Sequence, residues 1–361
     1  MARFRQEIRF TNAPDGTRLA YAASGKGYPL VRAAHWLTHI EFEGETPVWR
    51  PWFDALGARY RLLRYDSRGC GFSRTGDAEL SLEVQLSDLE TIVDAAGLGR
   101  FALLGISQGG AISIAYAAKH PERVSHLVLL GAFARGPLVR NPTPEKIASI
   151  AAQLKLVEVG WGTGNPAFHM LFTSQLFPNA TPEQLHALNE LQRRSCPPAQ
   201  AARILDAACR IDAAHYLEQV RCPTLVLHAR RDRPVPFESE GVRIAARIPG
   251  ARFVPLESES HVPLPGDPAF TRVIEEIAAF LPAPHAAAFP RLTPREAQVL
   301  ELIAAGLDNA QIGARLAVSE KTVRNNVTRI FEKMGVENRP QAIVRAREAG
   351  LGRAAPPEAP R

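Results

Sequence analysis

Long apolar runs are missing from this 361-residue sequence, and their absence argues against a membrane-spanning segment. No stretch approaches the roughly 20 consecutive apolar residues that a transmembrane helix needs. The N-terminal residues Met-Ala-Arg-Phe-Arg-Gln-Glu also lack the apolar core of a secretory signal. With 46% hydrophobic and 22% charged residues, the composition is that of a globular protein, which we expect to be cytoplasmic.

Cysteine is scarce as well, and its spacing does not suit a metal-bound or cross-linked scaffold. The chain has four cysteines, and none forms a close pair in the sequence: Cys70, Cys196, Cys209 and Cys222. Structural zinc sites use cysteines two to four residues apart, and disulfide scaffolds are small and rich in cysteine. The spacing favours reduced thiols, and we expect neither a metal nor a cofactor.

The first part of the chain has the pattern of an α/β protein, and the overall length favours two domains. Residues 1–133 alternate short apolar runs such as YRLLRYD, FALLGI and HLVLLGAF with helical stretches, which is typical of a largely parallel sheet. Residues 134–220 lack strand patterns and predict several short helices, an arrangement that suits a lid over a site. Two further strands and an amphipathic helix complete a first domain over residues 1–282.

The remainder of the chain is helical and follows a break rich in proline and alanine. Residues 283–290 predict a linker between domains. Residues 291–352 predict a compact all-helical domain, because apolar residues recur there at helical spacing. Residues 353–361 predict a flexible tail.

A serine stands between two glycines in the stretch Gly105-Ile106-Ser107-Gln108-Gly109. The apolar run FALLGI leads into it, and the helical pattern GGAISIAYAAKH comes after it. A sharp turn from strand to helix lifts a serine hydroxyl out of the backbone, and glycines are needed beside it to avoid clashes. The pattern favours a nucleophile at Ser107, with an ordinary turn residue as the alternative.

A serine nucleophile needs a base that is itself oriented by an acid. In folds with this kind of turn the chain order is serine, acid, histidine. Asp232 follows the strand-like PTLVLHA and His261 follows ARFVPLESES, so both stand at strand ends, where sites in open α/β sheets form. The order predicts a triad of Ser107, Asp232 and His261. Taken singly, Asp232 fits a solvated loop and His261 a surface position.

At these motifs the first domain resembles the α/β hydrolases of the esterase, lactonase and haloperoxidase-like kind. The resemblance rests on GISQGG, on YDSRGCGFS as the family's D-x-R-G-x-G-x-S turn, and on RRDRPVP as its acid loop. It implies an α/β-hydrolase fold, a mostly parallel sheet with a helical cap. It also implies that Ser107 is the nucleophile, Asp232 the acid and His261 the base.

One stretch departs from that family. Hydrolases of this kind often place His-Gly after the strand that corresponds to YPLVRAA, and this turn contributes an oxyanion-hole amide. Here the sequence is Ala34-His35-Trp36-Leu37, with a bulky residue in place of glycine. We expect Trp36 and the backbone amide of Gln108 to line an oxyanion and ligand pocket. His35 either lines the same pocket or is an ordinary loop residue.

The C-terminal domain carries a helix–turn–helix pattern. Thr293 and Glu296 fit a capping box at its first helix. NAQIGARL, the break AVS and EKTVRNNVTRIFEKMGV then predict helix, turn and helix, with Ser319 as the cap of the second helix. Val323 begins an apolar stripe on that helix. The side chains that point away from the stripe are Lys321, Arg324, Asn325 and Thr328. A helix divided in this way suits the major groove of DNA.

This domain closely resembles the LuxR/GerE-type DNA-binding domain, through LTPREAQVLELIAAG, NAQIGARL, SEKTVRNNV and KMGVENRPQA. The resemblance implies dimerisation through the last helix. It implies one set of side chains at base edges: Arg324, Asn325 and Thr328. It implies a second set on backbone phosphates: Lys321, Thr322 and Lys333. Ser319 joins them in the predicted DNA-facing surface.

Charge alone does not demand a nucleic acid partner. The whole chain has a formal net charge of +6, and residues 291–352 hold ten Lys or Arg against seven Asp or Glu. This modest excess of positive charge suits a protein that recognises a DNA sequence as a dimer better than one that binds DNA strongly without sequence preference. The alternative for the module is a small, mildly basic oligomerisation domain.

Two functions therefore compete. In the first, the chain is a one-component transcription regulator that binds double-stranded DNA as a homodimer. Its hydrolase-like domain then senses an ester, a lactone, or an acyl or aromatic compound, with or without hydrolysing it. In the second, it is an active serine esterase or lactonase, and DNA binding is secondary. Loss of one oxyanion donor reduces rates about 10²–10³-fold, so binding with slow turnover is compatible with either.

Overall fold

The computed structural model describes residues 4–73, 79–140, 142–161, 165–282, 292–348 and 351–352. The predicted linker 283–290 and tail 353–361 lie outside these residues. The chain divides into two compact units: the main division falls between Leu281 and Pro282, and Lys26–Tyr28 is grouped with the second unit. Each unit has an apolar core of its own.

The first unit is built on an eight-stranded, mostly parallel sheet. Its strands are β1 (Glu7–Asn12), β2 (Arg18–Ser24), β3 (Tyr28–Arg32), β4 (Tyr60–Tyr65), β5 (Phe101–Ile106), β6 (Val124–Leu130), β7 (Thr224–Ala229) and β8 (Arg252–Leu256). They lie in the order β1-β2-β4-β3-β5-β6-β7-β8. The first two strands pair antiparallel, and β3 and β5 to β8 pair in parallel.

The central strands are covered on both faces, which explains why their sequences are mostly apolar. Every residue of β5 and β7 is buried. Parallel neighbours require crossover connections, and helices in these connections cover the sheet. Leu89 and Ile92 from one such helix and Ile112 and Ile114 from the next share a single core with Leu103 of β5.

Helices fill the connections and the stretch predicted as a lid. In chain order they are α1 (Ile40–Glu43), α2 (Trp49–Gly57), α3 (Leu82–Ala95), α4 (Gln108–Lys119), α5 (Pro137–Arg140), α6 (Pro144–Gly160), α7 (Pro166–Leu176), α8 (Pro182–Ser195), α9 (Pro198–Arg210), α10 (Arg243–Arg247) and α11 (Pro268–Phe280). Helices α5 to α9 lie in the stretch predicted as a lid. Three of them begin with proline behind a capping side chain, which fixes where they start: Thr143, Asn165 and Thr181.

The second unit is helical throughout its described residues. It contains α12 (Pro294–Ala304), α13 (Asn309–Leu316), α14 (Glu320–Met334) and α15 (Arg339–Glu348). The capping box of Thr293 and Glu296 is present at α12. The turn between α13 and α14 depends on Gly313, where a Cβ would lie 2.8 Å from the carbonyl oxygen of Val318. Ala317 completes that turn in a left-handed conformation.

The helices differ in length and polarity from membrane spans. Across the parts of the chain that the structure describes, none is both long enough and apolar enough to cross a bilayer.

Candidate functional site

Ser107 lies at the turn between β5 and α4 in a strained backbone conformation. Its φ is +53° and its ψ is −123°, a region that residues other than glycine rarely occupy. The flanking glycines are required by space. A Cβ at Gly105 would lie 2.7 Å from the Ser113 hydroxyl, and one at Gly109 would lie 3.1 Å from the Ala33 carbonyl oxygen. The turn therefore has the shape that presents a serine hydroxyl at a sheet edge.

The same turn supplies a backbone donor, the N–H of Gln108. The Ser107 N–H donates to the carbonyl oxygen of Leu130 at 3.1 Å, which ties the turn to the end of β6. Gln108 is the first residue of α4, so its N–H has no acceptor within the helix and lies at the positive end of the helix dipole. An amide in this position suits the negative oxygen of an acyl-transfer intermediate.

Asp232 and His261 form a buried hydrogen-bonded pair. Nδ1–H of His261 donates to Oδ2 of Asp232 at 2.7 Å. The second carboxylate oxygen of Asp232 accepts the backbone N–H of Val235 at 2.9 Å. Because Nδ1 carries the proton, Nε2 is the basic atom of the ring. The pair therefore has the arrangement of a general base held in one tautomer by an acid.

A second histidine, His228, stands behind the acid, and the sequence interpretation missed it. It is buried near the end of β7, where its Nε2–H donates to the carbonyl oxygen of Val235 at 2.9 Å. The same nitrogen lies 3.5 Å from Oδ2 of Asp232. Burial lowers the pKa of His228, so the ring is neutral near pH 7. The signal that could have revealed it is the four-residue spacing in HARRD.

Ser107 and His261 both adjoin the end of β6 but are not hydrogen-bonded to each other. Nε2 of His261 is buried and has no hydrogen-bond partner among the described residues. The two positions are linked through the end of β6, since a Cβ at Gly131 would lie 3.3 Å from the His261 ring. The His261 N–H donates to the Leu176 carbonyl oxygen at 2.8 Å, which ties this loop to lid helix α7. Catalytic contacts often tighten only when substrate binds.

Trp36 stands where the lid meets the sheet edge. Its ring centroid lies 5.7 Å from the centroids of both Trp161 and Phe172, which come from the end of α6 and from α7. Its indole N–H is buried without a hydrogen-bond partner in the described part of the chain. The next residue, Leu37, adopts φ +51°. An aromatic wall thus borders the stretch that contributes an oxyanion amide in related hydrolases. Its two lid members were not predicted from the sequence.

The two other predicted pocket residues have fixed side chains. His35 is buried, stacks on Trp49 at a centroid distance of 5.1 Å and lies 3.7 Å from Glu43 through Nε2. Burial lowers the pKa of His35 to about 4. The Gln108 side chain points to α3, where its Nε2–H donates to Oε1 of Gln85 at 3.0 Å. His35 is therefore packed into a polar cluster, and Gln108 offers its backbone rather than its amide nitrogen.

Helix α14 has one exposed polar face and one buried apolar face. The exposed residues lie three, four and seven positions after the first of them, which places them on one side of the helix. They are Lys321, Arg324, Asn325 and Thr328. Val323 and Ile330 on the opposite side are buried in the core of the second unit. The helix therefore offers a continuous polar ridge while its packing holds it in place.

The start of α14 is fixed by its cap, and the ridge carries one surface ion pair. Ser319 Oγ accepts the backbone N–H of Thr322 at 3.2 Å, and the two hydroxyls lie 2.9 Å apart. Arg324 donates to Glu320 one turn earlier at 3.0 Å. An exposed pair of this kind is weak, so Arg324 can exchange it for another acceptor.

Lys333 is held differently from the ridge residues. Its Nζ donates to both carboxylate oxygens of Glu296, at 2.6 and 2.8 Å, and that carboxylate is buried. Burial alone would raise the pKa of Glu296, but hydrogen bonds from Lys333 and Thr293 outweigh it and hold that pKa below its usual value. The same Glu296 completes the capping box of α12. Lys333 thus links α14 to α12, a contact that the sequence interpretation did not include.

Two family models match the chain. Residues 42–268 match the alpha/beta hydrolase fold, and residues 290–346 match the luxR family of bacterial regulatory proteins. The first match contains Ser107, Asp232 and His261, and the second contains all of α14.

Several individual proteins similar to the chain are described as hydrolases or esterases. A protein described as "Putative carbamate hydrolase RutD", from Caulobacter sp. (strain K31), is 29% identical over 220 residues, which covers 58% of this chain and 76% of that protein. A 2-hydroxy-6-oxononadienedioate/2-hydroxy-6-oxononatrienedioate hydrolase from Paraburkholderia phymatum is 29% identical over 217 residues, covering 54% and 68%. An esterase structure from Exiguobacterium antarcticum matches with a TM-score of 0.62 at 23% identity, covering 75% and 98%.

Proposed function

The chain belongs to the α/β-hydrolase fold family and carries a luxR-family regulatory domain, and from this premise we propose that it is a one-component transcription regulator. In this proposal the domain over residues 1–282 holds a small molecule beneath the lid of residues 134–220. The domain over residues 291–352 binds promoter DNA. The observation that carries the proposal is the presence, in one chain, of three candidate catalytic residues that follow strands β5, β7 and β8 and of an exposed polar ridge on α14.

Several contacts support a site for a carbonyl compound. Nε2 of His261 is a buried acceptor without a partner, and the Trp36 indole N–H is a buried donor without one, in the described residues. Leaving such groups unpaired costs about 1–3 kcal/mol each, so a ligand that pairs with them gains that amount. Trp161 and Phe172 add apolar surface beside them. We propose an ester, a lactone, or an acyl or aromatic compound as the ligand.

The DNA-facing surface is assigned from the ridge on α14. We propose that Arg324, Asn325 and Thr328 contact base edges, since arginine and asparagine can each bond a base edge through two atoms. Phosphate contacts are assigned to Lys321, Thr322 and, more weakly because of its pairing with Glu296, Lys333. Ser319 fixes the helix start that presents them. Helix–turn–helix proteins read two half-sites as dimers, so the active species is proposed to be a homodimer.

A ligand can regulate DNA binding only if it favours one state of the protein over another. The test is a titration of labelled promoter fragments from the protein's own genome with the full chain, with and without candidate esters, lactones and aromatic esters. We expect an effective ligand to change DNA affinity about 5–150-fold. Equal affinity in the presence of every compound that binds the protein would contradict the sensing role.

The second candidate function, a serine hydrolase, is favoured by the Asp232–His261 hydrogen bond at 2.7 Å. In that reaction Ser107 Oγ attacks the carbonyl carbon while Nε2 of His261 takes the hydroxyl proton. The Gln108 amide holds the resulting oxyanion, and the same proton then passes to the leaving group. Water repeats the sequence on the acyl-enzyme and releases the acid.

Turnover of p-nitrophenyl esters distinguishes the two functions. We expect slow hydrolysis by the wild-type chain and a loss of about 10³-fold or more in Ser107→Ala, because the nucleophile is absent. An unchanged rate in Ser107→Ala would exclude Ser107 as the nucleophile. If Ser107→Ala abolishes hydrolysis but keeps ligand-dependent DNA binding, catalysis is not part of signalling.

A further inference from the structure

Two of the four buried, free cysteines are in contact although 126 positions separate them. Cys70 lies in the loop after β4, and Cys196 lies in the lid between α8 and α9. Both side chains are buried in one apolar cluster with Trp161 and Phe172, and Cys196 lies near enough to Cys70 to influence its thiol. The lid and the body of the first unit therefore meet through a pair of thiols.

The backbone holds the two cysteines together. The N–H of Gly71, next to Cys70, donates to the carbonyl oxygen of Ser195, next to Cys196, at 2.7 Å. The Cys70 loop is rigid because both oxygens of the Asp66 carboxylate accept backbone N–H groups around it. The sulfur atoms are therefore neighbours by construction of the fold and not by a chance choice of side-chain rotamer.

The pair also touches the candidate ligand site. Cys70 lies near the backbone of Thr38, which is two residues after Trp36. Trp36 packs on the same cluster. The neighbouring Cys196 side chain, and then burial, raise the pKa of the Cys70 thiol, so Cys70 keeps its proton. Cys196 is the more accessible of the two, at 5% exposure against 0%.

We propose that Cys70 and Cys196 are a modification site at which a hydroperoxide forms a reversible disulfide between the lid and the body of the first unit. The Cys196 sulfur attacks the peroxide O–O bond, giving a sulfenic acid and releasing an alcohol, or water when the oxidant is hydrogen peroxide. The Cys70 sulfur then attacks the Cys196 sulfur, and the hydroxyl leaves as water with the Cys70 proton. Two thiols are oxidised and one peroxide is reduced.

Treatment of the full chain with hydrogen peroxide tests this site. After the remaining thiols are blocked with N-ethylmaleimide, a non-reduced digest is analysed by mass spectrometry. We expect a peptide pair joined through Cys70 and Cys196, lost on reduction with dithiothreitol, while Cys209 and Cys222 are recovered as blocked thiols. These two are the internal control, because they are also buried. Recovery of Cys70 and Cys196 as separate blocked or over-oxidised residues would overturn the proposal.

A second measurement addresses the consequence for stability. A cross-link that closes so long a loop restricts the unfolded chain, so peroxide should raise the melting temperature by several degrees in the wild type and in Cys209→Ser. Cys196→Ser should show no rise. A rise of equal size in Cys196→Ser contradicts the site. If Cys196→Ser does not fold, the non-reduced digest of the wild type and of Cys209→Ser is the remaining test. Absence of the Cys70–Cys196 cross-link in that digest is sufficient to reject the proposed disulfide.

Discussion

At the scale of single residues, several buried polar atoms of the predicted site are not satisfied by the protein itself. Among the described residues, four such atoms belong to predicted site residues: His35 Nε2, Trp36 Nε1, Gln108 Oε1 and His261 Nε2. Buried polar groups are normally paired, so each exception calls for an explanation. A ligand or substrate that carries both a donor and an acceptor supplies one.

Gly105 is the residue on which the Ser107 turn depends. In Gly105→Ala the new methyl would lie 2.8 Å from the carbonyl oxygen of Gly109 and from Cα of Gly110, so the backbone must shift. We expect a loss of about 1–3 kcal/mol in unfolding free energy, measured by urea denaturation, together with loss of ester turnover. Gly99→Ala is the matched control, because no atom lies within 4 Å of the Cβ position there. Equal stability of the two variants would show that the turn tolerates a side chain.

The buried His35 predicts a pH dependence of stability. Its pKa is lowered to about 4 by burial, whereas a histidine in the unfolded chain titrates near pH 6.5. The unfolded chain therefore binds a proton that the folded chain does not between these values, and stability falls as the pH drops from about 6.5 to 4. The shift corresponds to about 3 kcal/mol.

The variant that tests this effect is His35→Gln, because glutamine stays neutral and can still donate to the Trp36 carbonyl oxygen that His35 contacts at 2.8 Å. We expect its unfolding free energy, followed by urea denaturation from pH 7 to pH 4, to fall less than that of the wild type. His186→Gln removes a histidine from the exposed surface and serves as the control. Parallel curves for His35→Gln and the wild type would contradict the assignment.

Lys333 tests whether a predicted phosphate contact is instead a structural one. Removing the lysine leaves the buried Glu296 carboxylate without its cation, at a cost of about 1–3 kcal/mol. We expect Lys333→Ala to lose hydrogen-exchange protection across residues 292–348, and Lys333→Ala combined with Glu296→Gln to recover part of it. Unchanged protection, with a smaller salt dependence of DNA binding, would favour the phosphate role.

At the scale of secondary-structure elements, α14 concentrates the predicted DNA contacts. Arg324→Ala should weaken binding to a selected promoter fragment by about 1–3 kcal/mol and relax its sequence preference, because a base contact is lost. Lys321→Ala should weaken binding to all DNA sequences equally and reduce the slope of log affinity against log salt concentration by about one. Lys155→Ala, which removes an exposed lysine of α6, is the charge-matched control. Fluorescence anisotropy at several salt concentrations measures both effects.

An opposite result would be equally informative for this helix. If Arg324→Ala and Lys155→Ala bind the fragment with the same affinity and the same salt dependence, the ridge on α14 does not contact DNA. The second unit would then be an oligomerisation module.

Elements were largely predictable from the sequence, because periodicity and capping are local. The alternation of apolar strands and helices predicted the parallel sheet, and the family match supports the α/β-hydrolase fold. The capping box of Thr293 and Glu296 and the Ser319 cap were visible as spacing alone. Contacts between distant segments were not, because no local pattern encodes them. Three such contacts depend on how the elements pack: the Lys333–Glu296 ion pair, the hydrogen bond from His228 to the Val235 carbonyl oxygen, and the ring contact of Trp36 with Phe172.

The candidate site shows the same limit at single positions. Chain order predicted the triad residues, and the structure brings Asp232 and His261 together at 2.7 Å. The sequence could not predict that the His35 side chain packs into a buried cluster with Glu43. A shift of one residue along the chain reverses the direction in which a side chain points, and no local pattern fixes that choice here. The catalytic role of Ser107, Asp232 and His261 stays a prediction until turnover is measured.

At the scale of the whole molecule, regulation requires that occupancy of one unit changes DNA binding by the other. A fluorophosphonate that reacts with activated serines places a covalent group at Ser107 without knowledge of the natural ligand. Genomic fragments enriched by the full chain provide the DNA. The matched control is Ser107→Ala, which cannot be labelled but keeps every DNA-facing residue.

The most direct measurement is the affinity of the labelled and unlabelled full chain for those fragments, with labelling verified by mass spectrometry. We predict that labelling changes the dissociation constant at least ~5-fold in the wild type and leaves Ser107→Ala unchanged after the same treatment. Identical binding curves for the fully labelled and unlabelled wild type would contradict the claim that this site governs DNA binding.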